Sequence, residues 1–483
     1  MKGPLFAIVL IPLIKGTESL SRQVYLWIRH GIMERALRPG EALPSTRELA
    51  EENSISRTVV VQAYDQLIAE GFITGRRGSG TYVSEHLHPS PAPAPQSSAQ
   101  VRLSEFGEAA SSIAGRGLSP VGEPQLLRYD FVYGKCSLDE FPLAAWRRIM
   151  IRRTRSAPLR SYEYGAAAGH PVLREAITSH LRRSRAINCD ASQVIIVNGS
   201  QQALDLTIRL LLNPGDAIAV EDPQYHGMRQ VLLAARLRVR PVPVDNDGID
   251  PRQMPRYARL AMVTPSHQFP TGAVLSLQRR LALLAWARRA NAVVVEDDYD
   301  GEFRYEGEPV EPLQSLDRDG RVLYIGTFSR TLFPALRIGY VVAPRPLVSA
   351  FIAAKWIADR HTAVLEQETL AEFISSGAYE RHLRRTRRTN AVRREALLSA
   401  IERHVGDRVT ITGSRSGTHI VMWPHANVSE AEVIARAAEI GVGIHGIAGY
   451  YLRQPSQPGF LLGYANLTVA QIREGIRRLG EVL

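Results

Sequence analysis

The strongest constraint on this chain is a series of short, valine-rich apolar runs at residues 194–197, 217–220, 260–263, 292–295, 322–325 and 340–342. Most are separated by helical patterns such as 201–212 and 277–289. Continuous apolar strands alternating with helices predict a mainly parallel sheet covered on both faces. From roughly residue 348 the pattern changes to long arginine-studded helices. It then gives the runs 417–423 and 459–465, which read as a smaller C-terminal α+β lobe.

Residues 88–100 carry four prolines and no apolar side chain larger than alanine, so they cannot build a core and read as an extended linker. The expected division is an N-terminal unit over 1–86, a linker over 87–125 and a large unit over 126–483. At 45% hydrophobic and 22% charged residues, the composition excludes a mainly disordered or fibrous chain. Two cysteines, Cys136 and Cys189, exclude a disulfide framework and fit a reducing cytoplasm. The apolar stretch 5–14, interrupted by Pro12, is too short to span a bilayer, which takes about 20 residues. It reads as a first strand, and no membrane partner is expected.

In the N-terminal unit, Leu20, Val24, Trp27 and Ile28 follow helical spacing over about 19–35. Ser45 and Glu48 form a capping box that opens a short second helix, and Ser56 caps a third running to Glu70. The third helix presents Val60, Ala63, Tyr64, Leu67 and Ile68 as its apolar face. Two strand-like pieces, 72–74 and 81–83, flank a basic glycine-rich turn. This order is that of a winged helix-turn-helix. Reading DNA needs cations aimed at phosphates and a helix that fits the major groove. Arg47, Arg57, Arg76 and Arg77 occupy those places, and Ser45, Ser56 and Thr58 add hydroxyls near helix starts, where phosphate is favoured. The net charge of +11 is compatible with such a partner.

The segment resembles the GntR family of bacterial transcription regulators. The matching runs are Leu43-Pro-Ser-Thr-Arg-Glu-Leu-Ala50, Ser56-Arg-Thr-Val-Val60, Ala63-Tyr-Asp-Gln-Leu67, Glu70-Gly71 and Arg77-Gly-Ser-Gly-Thr-Tyr-Val83.

Three runs carry chemistry in the large unit. Asn198-Gly-Ser-Gln-Gln-Ala-Leu204 joins a strand to a helix, whose first backbone amides and Ser200 hydroxyl can cradle a phosphate. Glu296-Asp-Asp-Tyr-Asp-Gly-Glu302 follows a buried strand, and a carboxylate there can pair with a cationic ring nitrogen. Asp298, Asp300 and Glu302 could instead hold a metal, but calcium-loop spacing is absent and no metal is expected. Thr327-Phe-Ser-Arg-Thr-Leu-Phe-Pro-Ala-Leu-Arg337 offers hydroxyls and two arginines to a phosphate.

Together these runs resemble fold-type I aminotransferases, which use pyridoxal 5'-phosphate. With the N-terminal unit they resemble the MocR/GabR-type regulators, in which a GntR domain is fused to an aminotransferase-like domain. Supporting runs are Glu221-Asp-Pro-Gln-Tyr225, Thr264-Pro-Ser-His-Gln-Phe-Pro-Thr-Gly272 and Arg381-His-Leu-Arg-Arg385. The resemblance implies that Asp297 pairs with the pyridine nitrogen, Tyr299 bonds the ring hydroxyl and Tyr225 lies near the ring face. Ser200, Gln201, Ser329 and Arg337 would line the phosphate site. The family's Schiff-base lysine is replaced by Arg330, which stays protonated and cannot form an internal aldimine. No arginine stands in 460–463 to capture a substrate carboxylate, and Arg453 is a distant substitute. The expectation is therefore a cytoplasmic, nucleoid-associated regulator that binds an operator in double-stranded DNA. Its domain would have no catalytic residue, bind the cofactor without a covalent bond and sense a small-molecule effector. The resemblance also implies a homodimer, with exchange of DNA-binding domains between subunits. The alternatives are an active aminotransferase with a DNA-binding appendage, or a regulator sensing a different anion.

Overall fold

The structure is a computed structural model that describes residues 11–14, 16, 18–76, 79–86, 102–115, 127–156, 158–159, 163–307 and 310–483. The chain divides into two compact units, residues 1–102 and 103–483.

In the first unit, helix Leu20–Met33 starts at Ser19, whose hydroxyl accepts from the Arg22 amide, and buries Val24, Tyr25, Ile28 and Ile32. Helix Thr46–Glu52 begins with the expected capping box between Ser45 and Glu48. Helix Arg57–Ala69 buries Val60, Ala63, Tyr64 and Leu67. Ile68, expected on that face, is exposed instead, because the buried stripe is narrower than the apolar one. Ser56 sits at the N-cap of this helix but its side chain makes no capping bond. Strands Ala42–Leu43, Gly80–Val83 and Ile73–Arg76 form a three-stranded sheet in that order, antiparallel throughout. The expected first strand over 5–14 is not formed where it can be seen. Residues 1–10 lie outside the described residues, and 11–14 are irregular, with the Ile11 amide bonded to Asn53 Oδ1 at 2.8 Å.

The expected linker over 87–125 needs a correction. Residues 87–101 and 116–126 lie outside the described residues, but Glu105–Gly115 is a helix belonging to the second unit. Ser104 caps it by accepting from the Gly107 amide at 3.1 Å. Glu105 pairs with Arg236, and the Arg209 guanidinium lies 5.8 Å from the Phe106 ring. The proline-rich composition ends at residue 100, and a capped, partly apolar segment follows it.

The second unit is built on an eight-stranded sheet. Its spatial order is Val194–Val197, Gly339–Val342, Val322–Thr327, Val293–Asp298, Leu260–Val263, Ala217–Asp222, Arg238–Asp245, Gly248–Ile249. All six apolar runs are strands. The central ones pair in parallel, while Gly339–Val342 runs antiparallel to both neighbours. The sheet has a core on each face: Val295, Ile325 and Val341 pack with helix Ser200–Leu211 on one, Val294 and Val322 with helix Leu277–Ala290 on the other. Arg238–Asp245 escaped the sequence reading because its side chains alternate in exposure and include two prolines.

The small lobe has an antiparallel sheet ordered Val409–Thr412, His419–Pro424, Phe460–Gly463, His445–Gly446. It begins later than residue 348. Phe351, Leu370 and Phe373 pack against the large sheet, and the lobe starts within the 27-residue helix Ala378–His404. Tyr379 and Leu383 of that helix join the large core, whereas Ala396, Leu397 and Ile401 join the small one. The lobe also recruits Tyr129–Asp130, which pairs in parallel with Val442–Gly443. Among the described residues no helix is long and apolar enough to cross a membrane.

Candidate functional site

Ser45, Arg47, Ser56, Arg57 and Thr58 are exposed around the starts of the second and third helices. Arg57 Nε donates to Thr46 Oγ1 at 3.4 Å, and the Tyr64 hydroxyl donates to the Pro44 carbonyl at 2.8 Å, tying the start of the second helix to the third. Arg47 pairs with Glu51 at 3.0 Å, and Arg76 with Glu85 at 2.6 Å, while Arg76 lies 4.9 Å from the Tyr82 ring. Such exposed pairs hold by about 0–1 kcal/mol and yield easily to a phosphate. Arg77 lies outside the described residues.

In the second unit the candidate residues stand at the C-terminal ends of the parallel strands, where open α/β sheets form their clefts. Strand Val194–Val197 leads through Gly199, at φ 81°, into the helix that begins at Ser200. A side chain at Gly199 would place its Cβ 2.6 Å from Arg337 Nη2, so glycine is what lets Arg337 reach this turn. Arg337, itself left-handed at φ 51°, donates to the Asn198 carbonyl at 2.9 Å. Backbone strain of this kind persists where surrounding contacts hold it. Arg337 thus makes a cationic corner at the start of the Ser200 helix, while the Ser329 amide donates to Thr327 Oγ1 at 3.1 Å. The Gln201 amide is committed to the Gly227 carbonyl at 3.0 Å and fastens this corner to the Tyr225 segment. Gly227 admits the Tyr225 ring: a Cβ there would approach it to 2.6 Å.

Asp297 lies at the end of strand Val293–Asp298, and its Oδ1 is buried with no hydrogen-bond partner. Burial, reinforced by Asp298 and Asp300 and opposed by Arg330, pushes its carboxyl up to about 7. The Tyr299 hydroxyl donates to the His267 carbonyl at 2.9 Å and lies 3.1 Å from His267 Nδ1. His267 in turn bonds Asp300 at 2.9 Å. Asp298, Asp300 and Glu302 do not form the metal set weighed from the sequence: Asp298 is taken by Arg185 and Tyr324. The group that could hold an ion among the described residues is His267, Asp300 and His419. His419 is driven well below its ordinary value by burial and by His267, so it is neutral.

Arg330 follows strand Val322–Thr327. Its guanidinium lies 4.4 Å from the Tyr133 ring centroid, and Gly134, at φ 101°, leaves room for it; a Cβ there would sit 2.8 Å from Nη1. Burial acts to lower its pKa, but Tyr133, Tyr225, Asp300 and Tyr299 reverse that, leaving it above the ordinary value. Arg330 is a permanent cation. Tyr133, Gly134, Tyr450 and His267 were not singled out from the sequence. Only His267 lay within a motif, and the Tyr133–Arg330 contact spans nearly two hundred residues without a local signature. Arg453 turns away: its Nη2 donates to the Pro241 carbonyl at 3.2 Å.

The family of bacterial regulatory proteins called gntR matches residues 20–83, and aminotransferase class I and II matches residues 134–479. The probable rhizopine catabolism regulatory protein MocR of Rhizobium meliloti is 38% identical over 466 residues, covering 95% of this chain and 93% of its own. The chain belongs to the MocR-type GntR transcription regulators. The pyridoxine biosynthesis regulator PdxR of Corynebacterium glutamicum is 31% identical, covering 93% of this chain and 92% of its own. Among solved structures, Pyrococcus horikoshii kynurenine aminotransferase is similar at 28% identity and a TM-score of 0.69, covering 79% of this chain and 95% of that one. LysN, the α-aminoadipate aminotransferase of Thermus thermophilus, gives 28% and 0.70, covering 78% and 97%. This MocR-type chain therefore carries a fold-type I aminotransferase fold behind its winged helix.

The unpaired Asp297 makes a stability prediction for the ligand-free protein. Its folded pKa of about 7 exceeds the unfolded value of about 3.9. Between those limits the folded chain keeps a proton that the unfolded chain has lost, so stability falls as pH rises and the loss is complete above 7. Asp297→Asn should melt higher than the parent at pH 8, by at most about 4 kcal/mol at about 1.4 kcal/mol per unit. The advantage should vanish near pH 4, as read by thermal melts across that range.

Proposed function

We propose that this regulator binds pyridoxal 5'-phosphate without a covalent bond and couples occupancy of that cleft, with a small amino compound, to operator binding. The observation that carries the reading is Arg330, a permanent cation where covalent attachment needs a neutral amine. Asp297 Oδ1, buried and unpartnered, would accept from the ring nitrogen. Tyr225 would lie against the ring, Tyr299 near its hydroxyl, and Ser200, Gln201, Ser329 and Arg337 around the phosphate. When bound, the cofactor supplies an aldehyde and an electron-withdrawing pyridinium ring. Without a lysine beside it the domain has no mobile base, so the reading is of a sensor and not of an enzyme. The described lysines of this unit are engaged elsewhere: Lys135 with Asp130 at 3.4 Å, and Lys355 with Asp359 at 2.5 Å.

The DNA-binding part predicts a steep salt dependence. Each neutralised phosphate contributes about −0.9 to the slope of log affinity against log salt. The double variant Arg57→Ala/Arg76→Ala should bind an operator more weakly and with a shallower slope in fluorescence anisotropy titrations. Unchanged affinity would remove these arginines from the interface.

The cofactor part predicts that borohydride traps no adduct in the parent protein. Arg330→Lys should create one, detected by mass spectrometry of the peptide containing residue 330. A trapped adduct on the parent would refute noncovalent binding.

We also propose a homodimer. Leu159, Tyr164, Trp356 and Ile357 are exposed large apolar side chains, and Arg360 lies 4.8 Å from the Tyr164 ring and 5.1 Å from the Trp356 ring. Apolar exposure of this kind marks interaction surfaces. Light scattering should give twice the chain mass, and Ile357→Glu with Tyr164→Glu should reduce it.

A further inference from the structure

Arg330 lacks something its surroundings do not supply. Its guanidinium is half-buried and stacked on Tyr133, with its nitrogens still open to the cleft, and among the described residues it has no hydrogen-bond acceptor and no carboxylate within ion-pair distance. The nearest acids are spoken for or set apart: Asp300 is bonded to His267 at 2.9 Å, and Asp297 keeps an unpaired oxygen. A cation with five donors that no protein group accepts is free to take an anionic ligand entering the cleft. Three hydroxyls within electrostatic reach of it, those of Tyr133, Tyr225 and Tyr450, likewise make no hydrogen bond among the described residues. Donors therefore converge on a place that no protein acceptor fills.

The cleft has a second cation, Arg337, fixed beside Gly199 at the start of the helix from Ser200. Tyr225 stands within the field of both: burial raises its hydroxyl pKa, and Arg330 and Arg337 each oppose that rise. A ligand whose phosphate is held at Arg337 has its other end free for Arg330. A lone carbonyl or ring hydroxyl would satisfy one donor, whereas a carboxylate matches the planar fork with two parallel bonds.

We propose that Arg330 is the carboxylate receptor of this cleft, so that the ligand joins a phosphate-bearing pyridine to a carboxylate. This rests on the cofactor reading above. It assigns to the lysine's replacement the anchoring task for which Arg453 and residues 460–463 provide no group. The domain then responds to the cofactor and an amino acid as a single joint signal: the amino group condenses with the cofactor's aldehyde and releases water, while the protein itself forms no covalent bond to the ligand.

The test compares two stable secondary amines that differ only in the carboxylate, N-phosphopyridoxyl-L-alanine and N-phosphopyridoxyl-ethylamine, by calorimetry on the full chain. The parent should bind the alanine conjugate at least tenfold more tightly. Arg330→Gln should reduce that preference to less than twofold, whatever the change in affinity common to both conjugates, and a cooperative melt like the parent's shows that the variant is folded. Arg330→Lys, which keeps the charge and cannot react with either amine, should retain part of the preference. Equal affinity of the parent for the two conjugates, or a preference that survives Arg330→Gln, overturns the proposal and leaves cofactor binding standing. If pyridoxal phosphate and both conjugates all fail to bind, the cofactor reading falls with it. L-Alanine titrated onto the protein with pyridoxal phosphate present, under borohydride-free conditions, distinguishes the sources of the carboxylate. An identical response after reductive removal of the aldehyde, with pyridoxine phosphate in its place, means that a free carboxylate fills the receptor and overturns the joined ligand.

Discussion

Everything in the cleft depends on how one buried carboxylate, Asp298, is neutralised. Arg185 pairs with it, the Tyr324 hydroxyl donates to it at 2.7 Å, and Arg185 also reaches Ser266 at 3.1 Å and the Gly301 carbonyl at 3.2 Å. Gly301 has no room for a side chain, since a Cβ would lie 2.4 Å from Asp298 Oδ1. Successive strand residues point to opposite faces of a sheet. With Asp298 locked on the face of Val294 and Glu296, Asp297 must project on the face of Val295. The cluster on one side of the sheet thereby aims an unpaired acid at the other side. Removing one partner from a buried pair of this kind costs roughly 3–5 kcal/mol, so the orientation is firmly held.

Burial around this arrangement explains why three carboxyls here resist ionisation. Glu221, Glu296 and Asp297 are each pushed up to about 7, with burial the leading cause in every case. Glu221 accepts from the Thr264 hydroxyl at 2.6 Å, and Glu296 from the Leu313 and Gln314 amides at 2.7 and 2.9 Å. Those two acids hold loops in place through these bonds. Asp297 alone of the three retains an idle buried oxygen. Buried polar atoms are usually paired, so one that stays open at the edge of a cleft is a natural place for a ligand's donor.

How much of this was legible in the sequence follows from the range of each interaction. The six buried strands were visible because a strand covered on both faces must be apolar at every position. The Ser45–Glu48 box was visible because a cap involves residues three apart. Arg238–Asp245 was missed because a sheet-edge strand with alternating exposure and prolines gives a weak signal, and Glu105–Gly115 because it adjoins a proline-rich run. The place of Arg330 could be read from its motif, but its environment could not. Tyr133, Gly134, Tyr225 and Tyr450 converge on it from distant parts of the chain, and only the packed lobes bring them together. His267 illustrates the intermediate case: its motif was noticed, while its bonds to Tyr299 and Asp300 required the fold.

The exchange of lysine for arginine alters more than one step. A lysine in such a pocket can be lowered toward neutrality by burial, and Lys355 moves in that direction in its own buried site despite its pairing with Asp359. Arginine starts well above lysine, and its tyrosine-lined surroundings raise it further. The pocket that would activate an amine therefore fixes a charge. A fixed charge cannot cycle protons, yet it discriminates: a ligand presenting an ammonium to it is repelled, and one presenting a carboxylate is held by paired, partly desolvated bonds. Selectivity of that kind needs no turnover. It requires only that the ligand bind more tightly to one of two conformations that differ in DNA affinity, the one requirement that ligand-dependent control of DNA binding places on this domain.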